Sequence, residues 1–518
     1  MVTAGSPRVQ QREALAATRR LAARWPEWLC LAFYAAVQAV MIPYHEPWAD
    51  EAQAWMLARS LSPWQLVHTF LRYEGQPGLW HLFLWVLVHL HVSYAGMHWI
   101  CGLLGCCGIY VLLFYSPFPR WLKMTAPFTL FLAYQYTVVA RNYVLIPLLL
   151  FAVAAVWKRS PLLVALLLGL LANVAAHAAA IAAGFAIAYW FDRRASAKPG
   201  EATPPASAFR WAGVIFFALC VAAVLTAFPT KDVYTAATPG ARTHAVMALG
   251  ALVWAMWDPM PLSLVGWGIL IWGFSRRRAL HLLIPAGALV LFSAAVYLSF
   301  WHAGLTVPVL IAALWLSWPA PGASLAVAEK AMRVAIALLI ATQIGWAVHA
   351  AWYDHFHDYS PDKRTAEFLQ PYVEAGSQIA VTYVRDRVVR SFHLVGIEPY
   401  FRGKIFMNQP YPFWWWSRHD TTEADFPRAL SLHPQFVVAE AEVYEATTAG
   451  EAGNLADPEV AARVASIESQ GYQLERNFCA IKPERFSYRE SLCYLVFMRK
   501  DPEQGGPPAA LPQLPSGR

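Results

Sequence analysis

The chain has 518 residues, of which 58% are apolar and only 14% are charged, and its mean hydropathy is +0.38. Soluble domains carry about 25% charged residues, so this composition predicts a multi-pass membrane protein. It excludes an intrinsically disordered chain, which would be poor in apolar residues. It also excludes a disulfide scaffold, because the whole chain contains only seven Cys.

Charge is divided unevenly along the chain. Residues 1–353 hold 23 Lys and Arg against 11 Asp and Glu, whereas residues 354–518 hold 17 against 22. The first part is therefore basic and the second acidic. We attribute the basic excess to loops between membrane spans, since Lys and Arg collect on the cytoplasmic side of a membrane. The sequence indicates no nucleic-acid partner, and the last 165 residues resemble a water-soluble domain in composition.

Four regions follow one another along the chain. They are a cytoplasmic N-terminal segment (1–26), a transmembrane module (27–353), an α/β domain (354–500) and a tail (501–518) that is disordered by composition. Apolar runs of spanning length predict about 11 or 12 helices. The candidate spans are 27–43, 78–92, 97–115, 124–140, 142–157, 161–191 (one or two passes), 211–228, 246–274, 279–300, 302–318 and 331–352.

Loop charges predict the orientation of these spans in the inner membrane. The basic loops at 192–210, 275–278 and 329–333 are expected to face the cytoplasm together with the N-terminus. The loops 44–77 and 229–245 and the α/β domain are then extracytoplasmic. The basic pairs Arg120/Lys123 and Lys158/Arg159 cannot both obey simple alternation. One segment between 78 and 115 that does not cross fully would remove this conflict and would turn Arg141 outward.

The α/β domain is predicted from a change in pattern after Tyr353. Short apolar runs at 377–384, 434–443 and 493–500 predict β-strands, and the segment 457–474 has a helical pattern. Cys479 and Cys493 flank a loop in this region. An oxidising compartment outside the cytoplasm would permit a disulfide between them.

Carboxylates concentrate in the first outer loop. Four of the 11 acids before residue 354 lie there, namely Glu46, Asp50, Glu51 and Glu74. Carboxylates at the edge of a bilayer are costly to desolvate and often mark a pathway or a reaction. A structural alternative is that Asp50 caps a helix starting near Glu51, with Gln53 completing a capping box. For Glu51, favourable interaction with the helix dipole is the corresponding alternative.

Two segments of this loop carry a family resemblance. WADEAQAW (48–55), followed by YEGQPGLWHLFLW (73–85) at the start of the second span, resembles the GT-C superfamily of integral membrane glycosyltransferases. The resemblance is to members of the aminoarabinose- and mannosyltransferase type. It implies an α-helical polytopic fold with an acidic pair in the first outer loop, here Asp50-Glu51, and an extracytoplasmic C-terminal domain. Gln76-Pro77 stands where bacterial members tend to have His-Pro.

The resemblance implies an inverting transfer of a sugar from a polyprenyl-phosphate-linked donor to a lipid, glycan or protein acceptor. In such a transfer a carboxylate takes the proton of the acceptor hydroxyl while the anomeric carbon gains oxocarbenium character. The matching positions assign Asp50 as general base. Glu51 is expected to support Asp50 or to ligate a divalent metal, because metal dependence varies across the superfamily.

The departing phosphate needs hydrogen-bond donors at the outer boundary. Arg141 is the strongest candidate, because it stands alone between two apolar runs and because an Arg fork binds phosphate oxygens in pairs. For each cation, snorkelling to lipid headgroups is the alternative. The predicted substrate- and phosphate-binding set is Arg59, Arg72, Glu74, Arg141, Lys231, Arg242 and His302. For Asn173 and His177, a polar contact between helices is preferred to a substrate role.

Two other functions remain open at this level. A transporter or flippase for lipid-linked saccharides would place charges near the bilayer midplane and often shows paired half-repeats. Here the charges favour the outer rim and no repeat is visible. A non-catalytic subunit of an envelope-polymer assembly would use the acids as helix caps and the outer domain as a docking module.

Overall fold

The structure, a computed structural model, describes residues 24–195, 205–233, 241–319, 326–383, 393–444, 457–484 and 487–500. Most of the predicted N-terminal segment (1–23) and the predicted tail (501–518) therefore lie outside the described residues, as do residues 196–204 of the basic loop. The described chain is mostly helical, with one small sheet near the C-terminus.

Helices fill the described part of the chain up to residue 356. Four are long and apolar enough to cross a membrane: Tyr94–Tyr115, Ser207–Ala227, Phe300–Ser317 and Val327–Phe356. The others are Trp25–Met41, Ala49–Ser60, Pro63–Gln65, Leu71–Glu74, Leu79–His89, Arg120–Thr125, Leu145–Val156, Pro161–Ala172, Ala176–Ala195, Ala241–Trp254, Met260–Arg276 and Ile284–Ala295, with π-helical turns at Leu66–Phe70 and Phe131–Gln135 and 3₁₀ turns at Ala126–Phe128, Asn142–Val144 and Leu280–Leu283. We call Trp25–Met41 the first helix, Ala49–Ser60 the loop helix and Val327–Phe356 the long helix.

Contacts at the helix ends define two faces of the bundle. Nη1 of Arg24, just before the first helix, donates a hydrogen bond of 3.3 Å to the carbonyl of Phe114. Beyond the other end of the first helix, Glu51 contacts His98 near the start of helix Tyr94–Tyr115. These two helices therefore run antiparallel. We call the face that holds Glu51 the domain face, because the C-terminal domain follows from it, and the other the opposite face.

The basic loops meet at the opposite face. His45, which follows the first helix, bonds Asp354 at the end of the long helix, so the start of the long helix lies at the opposite face. There Glu329 lies 2.6 Å from Nη2 of Arg277. In the same region His281 lies 3.8 Å from Asp192. Segments of all three basic loops are thus on one side, as the loop charges predict.

The predicted span at 78–92 does not run from one face of the bundle to the other, which is the alternative that the loop charges leave open for a segment between 78 and 115. Helix Leu79–His89 has only 11 residues and is about 16 Å long at 1.5 Å per residue, whereas a bilayer core is about 30 Å thick. Glu74 before it and His98 after it both contact the loop helix. The segment therefore leaves the domain face and returns to it.

This return settles the conflict among the basic pairs. Arg120 lies 3.9 Å from Glu27, near the start of the first helix, and so belongs to the opposite face. Trp157, beside Lys158, donates a 2.9 Å hydrogen bond to Asp192 on that same face. Both pairs therefore lie at the opposite face, and Arg141 between them reaches the domain face.

The prediction of a continuous helix over 124–140 is also wrong. The chain there passes from a short helix through a 3₁₀ turn and a π-helical turn into irregular backbone. Irregular backbone inside a helical bundle needs hydrogen-bond partners from elsewhere in the protein. Tyr34 and Gln38 of the first helix donate to the carbonyls of Leu132 and Ala133, at 2.7 and 2.8 Å. The N–H of Ala140 donates to Glu51.

The predicted span 246–274 is likewise two helices, interrupted at residues 255–259. Pro259 lies in this interruption, where a proline removes a backbone donor. Nε2 of Gln343 in the long helix donates to the carbonyls of Ala255 and Met256, at 3.0 and 3.3 Å. A polar side chain of the neighbouring helix therefore satisfies the interrupted backbone.

The C-terminal domain contains a four-stranded sheet in the order β1-β2-β4-β3. Strands β1 and β2 are parallel and the other pairs are antiparallel. The strands are β1 Ile379–Tyr383, β2 Phe436–Tyr444, β3 Tyr472–Glu484 and β4 Ser487–Arg499, and the helices are Asp362–Glu374, the 3₁₀ helix His393–Tyr400, Phe426–Ser431 and Pro458–Glu468.

Three of the four strands lie where apolar runs predict them, at 377–384, 434–443 and 493–500. β3 is missed, because the helical pattern at 457–474 continues into its first residues, whereas the helix ends at Glu468. Gly471, with φ of 88°, occupies the turn between that helix and the strand. A disulfide joins Cys479 and Cys493 across β3 and β4, as the sequence predicts.

We predict that Gly184→Ala destabilises the bundle. A Cβ at Gly184 would lie 2.5 Å from Cα of Pro285, which is backbone of a neighbouring helix. Small residues allow such close packing, and overpacking typically costs about 1–3 kcal/mol. Thermal unfolding in detergent should show a lower Tm. Gly213→Ala is the matched control, because a Cβ there meets nothing within 4 Å; an unchanged Tm for Gly184→Ala would contradict the prediction.

Candidate functional site

The candidate site begins at the first turn of the loop helix. This helix starts at Ala49 with Trp48 as its N-cap residue, and a carboxylate oxygen of Glu51 accepts the Trp48 N–H at 3.0 Å. The side chain of Glu51 therefore caps the start of the loop helix. The alternative that Asp50 is the capping residue is wrong, and its carboxylate is available for another role.

Asp50 forms an ion pair with Arg141. Oδ2 of Asp50 lies 2.8 Å from Nη1 of Arg141, and the side chains are 37% and 15% exposed. The Arg141 guanidinium lies 5.0 to 5.8 Å from the ring centroids of Tyr143, Trp301 and Trp48. A guanidinium held by rings and one carboxylate keeps donors for an anionic ligand.

Glu74 completes an acidic pair beside this cation. Its Oε1 accepts a 2.7 Å hydrogen bond from Nε2 of Gln53. Burial raises the pKa of Glu74 to about 8, and the negative charge of Asp50 adds to this effect, while Gln53 and Arg141 act against it. The site combines a part-exposed carboxylate, a guanidinium and a carboxyl group whose pKa is raised.

Glu51 is completely buried and has no free oxygen. Beside the Trp48 N–H, it accepts from Ala140 N at 2.6 Å and contacts Nε2 of His98 at 3.0 Å and of His45 at 3.3 Å. Burial opposes ionisation, but His45 and His98 outweigh it, so the pKa of Glu51 lies below its usual range. The described residues contain no group of three His, Cys, Asp or Glu that could hold a metal ion. Because four donors occupy its two oxygens, Glu51 has a structural role.

His45 extends this network to the long helix. Its Nδ1 lies 2.9 Å from Oδ2 of Asp354, an oxygen that also accepts from the hydroxyl of Tyr134 at 3.0 Å. Burial disfavours the imidazolium, but the carboxylates of Asp354 and Glu51 dominate and raise the pKa of His45 to about 10. The loop helix is therefore tied to the end of the long helix through a charged imidazole.

An apolar groove reaches the far side of this network. It has a volume of about 360 Å³ and lies between the end of the first helix and the end of the long helix. Val40, Met41, Val348 and Trp352 line its length, and Asp354 lies at its polar end. Asp354 therefore belongs both to the lining of the groove and to the charged network.

Arg141 and Glu74 lie with Asp50, but other predicted binding residues have different partners. Arg59 donates to backbone carbonyls of the C-terminal domain, including that of Phe401 at 3.0 Å. Nε of Arg72 donates to the carbonyl of Phe228 at 3.0 Å. Both cations therefore hold protein segments together.

The remaining predicted residues lie apart or are already bonded. Lys231 is exposed on the short loop after helix Ser207–Ala227. Arg242 is in helix Ala241–Trp254, but its side chain lies outside the described part of the chain. His302 is buried, with the Tyr143 hydroxyl 2.7 Å from Nε2 and Ser299 Oγ 2.7 Å from Nδ1. It supports Tyr143, which in turn contacts Arg141.

Asn173 and His177 make the interhelical contacts that the sequence favours. Nδ2 of Asn173 donates to the carbonyl of Leu219 on a neighbouring helix at 2.8 Å. The ring of His177 stacks on His302 with centroids 3.8 Å apart, and its Nε2 lies 2.7 Å from the carbonyl of Tyr297. This pair stiffens the structure behind Tyr143.

Several residues at the site were not singled out from the sequence. Gln53 was considered only as a cap, whereas it bonds Glu74 and the backbone of Trp414 in the C-terminal domain. Trp301 and Tyr143 enclose Arg141. Aromatic residues are common throughout this chain, so the sequence does not distinguish Trp301 and Tyr143 from the others. Their contacts with Arg141 in the structure do. The histidines beside Glu51 offered a weak signal, as polar residues in apolar surroundings.

No family model, curated protein or solved structure matches this chain.

We predict that the fold loses stability at alkaline pH through His45. Its pKa is about 10 in the fold against an ordinary 6.5, so the stabilisation is complete below pH 6.5 and is lost as the pH rises towards 10. The slope reaches at most about 1.4 kcal/mol per pH unit. The Tm of the detergent-solubilised protein should fall over this range, and His45→Asn should flatten the curve.

The control for this measurement is His433→Asn, at an exposed position in the C-terminal domain. His433 has φ of 54°, which Asn accommodates well. Its Tm profile should follow that of the unchanged protein. An alkaline decline that His45→Asn leaves intact would show that other groups cause it.

Proposed function

We propose that this protein is a polytopic membrane glycosyltransferase that moves a sugar from a polyprenyl-phosphate-linked donor to a lipid, glycan or protein acceptor. The observation that supports the proposal is the pairing of Asp50 with Arg141 at 2.8 Å, beside Glu74. One partner can take a proton and the other can bind a phosphate. The apolar helices and the position of this pair at one end of the bundle suit a donor that remains in the lipid.

In this proposal Asp50 is the general base. Its carboxylate takes the proton of the acceptor hydroxyl as the acceptor oxygen bonds to the anomeric carbon of the sugar. The bond between that carbon and the phosphate oxygen breaks, and its electron pair leaves with the polyprenyl phosphate. The anomeric carbon inverts because attack and departure occur on opposite faces.

Arg141 stabilises the leaving phosphate. Its Nη1 meets the Asp50 carboxylate, and the three surrounding rings hold the guanidinium without neutralising it. When the phosphate takes over the guanidinium, the Asp50 carboxylate is freed from its ion pair and can accept a hydrogen bond from the acceptor hydroxyl.

Glu74 has a separate role in this scheme. Because burial raises its pKa, its carboxyl group favours the protonated form beside Asp50. Its hydroxyl can then donate a hydrogen bond to an oxygen of the sugar or of the acceptor. Two carboxyl groups in different environments can in this way perform different tasks.

The proposal places the protein in the inner membrane, with the N-terminus in the cytoplasm and the C-terminal domain outside. The basic loops lie together at the opposite face, where the positive-inside rule puts the cytoplasm. The disulfide between Cys479 and Cys493 suits an oxidising compartment. The site then faces the side where lipid-linked sugars replace nucleotide sugars.

We expect Asp50→Asn to abolish sugar transfer. Loss of a general base typically costs about 10²- to 10⁴-fold in rate. Transfer can be measured in membranes with radiolabelled polyprenyl-phosphate hexose and pentose donors, with unchanged Tm as the test of folding. Glu46→Gln is the matched control, because Glu46 lies in the same loop but faces Asp358, Lys363 and Arg364. Full transfer by Asp50→Asn would refute the general-base role.

Arg141→Gln should instead weaken donor binding. A charged hydrogen bond contributes about 1.5–3 kcal/mol, so the KM for the donor should rise about tenfold or more. Binding of polyprenyl phosphate alone, followed by the fluorescence of the neighbouring Trp residues, should weaken equally. Arg402→Gln, at an exposed position in the domain, is the control. An unchanged affinity in Arg141→Gln would remove the phosphate assignment.

Labelling of single cysteines tests the orientation. Ser431 is exposed in the C-terminal domain and Ser275 is exposed beside the basic loop of the opposite face. A membrane-impermeant maleimide added outside the inner membrane should modify Ser431→Cys and should modify Ser275→Cys only after the membrane is breached. The unchanged protein supplies the background of the native cysteines. The reverse pattern would overturn the proposed topology.

A further inference from the structure

The side chain of Gln53 joins the C-terminal domain to the candidate site. Its Oε1 accepts the N–H of Trp414 at 2.8 Å, and its Nε2 donates to the carbonyl of Trp414 at 2.8 Å. The same Nε2 donates to Oε1 of Glu74 at 2.7 Å. Gln53 is only 6% exposed. One buried amide therefore contacts a backbone segment of the domain and a carboxyl group of the site.

Only a carboxamide can make this set of bonds. The two bonds to Trp414 require a donor and an acceptor side by side, which fixes the orientation of the amide. The second hydrogen of Nε2 then points at Glu74. Both hydrogens of Nε2 are used, so Glu74 cannot shift without losing a buried hydrogen bond.

A second set of contacts holds the same domain segment next to Glu74. The hydroxyl of Tyr73 donates to Oδ2 of Asp232 at 2.7 Å, and Ser417 Oγ donates to that oxygen at 3.2 Å. The N–H of Arg418 donates to the Asp232 carbonyl at 2.9 Å. Residues 414–418 are thus held through Gln53, which bonds Glu74, and through Asp232, which bonds Tyr73.

We infer that Gln53 is a positioning residue through which docking of domain residues 414–418 holds Glu74 in place for transfer. This inference rests on the proposed function for its kinetic consequence. The C-terminal domain is then part of the site, and its seating on the loop helix prepares the carboxyl group for the sugar or the acceptor.

The charged groups that act on Glu74 give the sign of the effect. Asp50 favours the protonated carboxyl, whereas Arg141 and the hydrogen bond from Gln53 favour the ionised form. Loss of the Gln53 bond should therefore raise the pKa of Glu74 further. The limb of the pH profile of transfer that depends on Glu74 is identified by its loss in Glu74→Gln. In a variant that lacks the Gln53 bond, this limb should lie at higher pH.

The central variant is Gln53→Met, which keeps the approximate size and adds no charge but loses the two donated bonds and the accepted one. A role in packing alone predicts normal transfer. Positioning predicts a fall in kcat of about ten- to hundredfold, little change in the KM for the donor, and an upward shift of the alkaline limb. Gln65→Ala is the control, since Gln65 lies in the same outer loop and bonds only Ser62 in the described structure.

Two measurements without sugar transfer separate this inference from the proposed function. In Gln53→Ala, amide exchange of residues 414–418 should become faster. The infrared band of the protonated carboxyl, identified by its loss in Glu74→Gln, should persist to higher pH than in the unchanged protein. If both changes occur but the unchanged protein transfers no sugar, the coupling stands and the proposed function fails. If the amide exchange of residues 414–418 and the pH dependence of the infrared band are both unchanged in Gln53→Ala, the coupling is overturned.

Discussion

The buried carboxylate of Glu51 is the interaction on which the domain face depends. A charge removed from water must be compensated where it lies, and removing one partner of such a cluster is strongly destabilising. Glu51 collects its donors from the start of its own helix, from the irregular backbone at Ala140 and from two histidines. Three separate parts of the chain, at residues 45–51, 98 and 140, are thereby brought to one point, and the long helix joins them as a fourth through Asp354.

This compensation gives two neighbouring carboxylates different properties. Glu51 is buried and saturated with donors, whereas Asp50, one residue earlier, is partly exposed and meets a single guanidinium. Because Glu51 caps the loop helix and also holds Ala140, it fixes the next residue, Arg141, opposite Asp50. The rigid pair therefore owes its geometry to the buried residue, and Glu51 contributes to the site without facing it.

Much of the architecture follows from the sequence, and its failures have physical causes. Apolar runs and loop charges indicate the helices and their grouping, and alternation indicates three strands of the sheet. Asp50 and Arg141 stand out because isolated charges in apolar surroundings need a reason. The break at 126–141 is hidden, because an apolar segment whose backbone is bonded by Tyr34, Gln38 and Glu51 looks like a helix. Gln53 is equally hidden, since its partner lies 361 residues away.

The short helix Leu79–His89 determines at which face of the bundle each later helix begins and ends. Its hydropathy would count as a full crossing in any tally of apolar runs, yet both of its ends belong to one face. If the chain spans the membrane as proposed, a reporter fused just after this helix would give the same compartment as one fused just before it. Under the same proposal, an insertion that lengthened the helix into a full span would invert each later segment and would move the disulfide-bearing sheet to the reducing side.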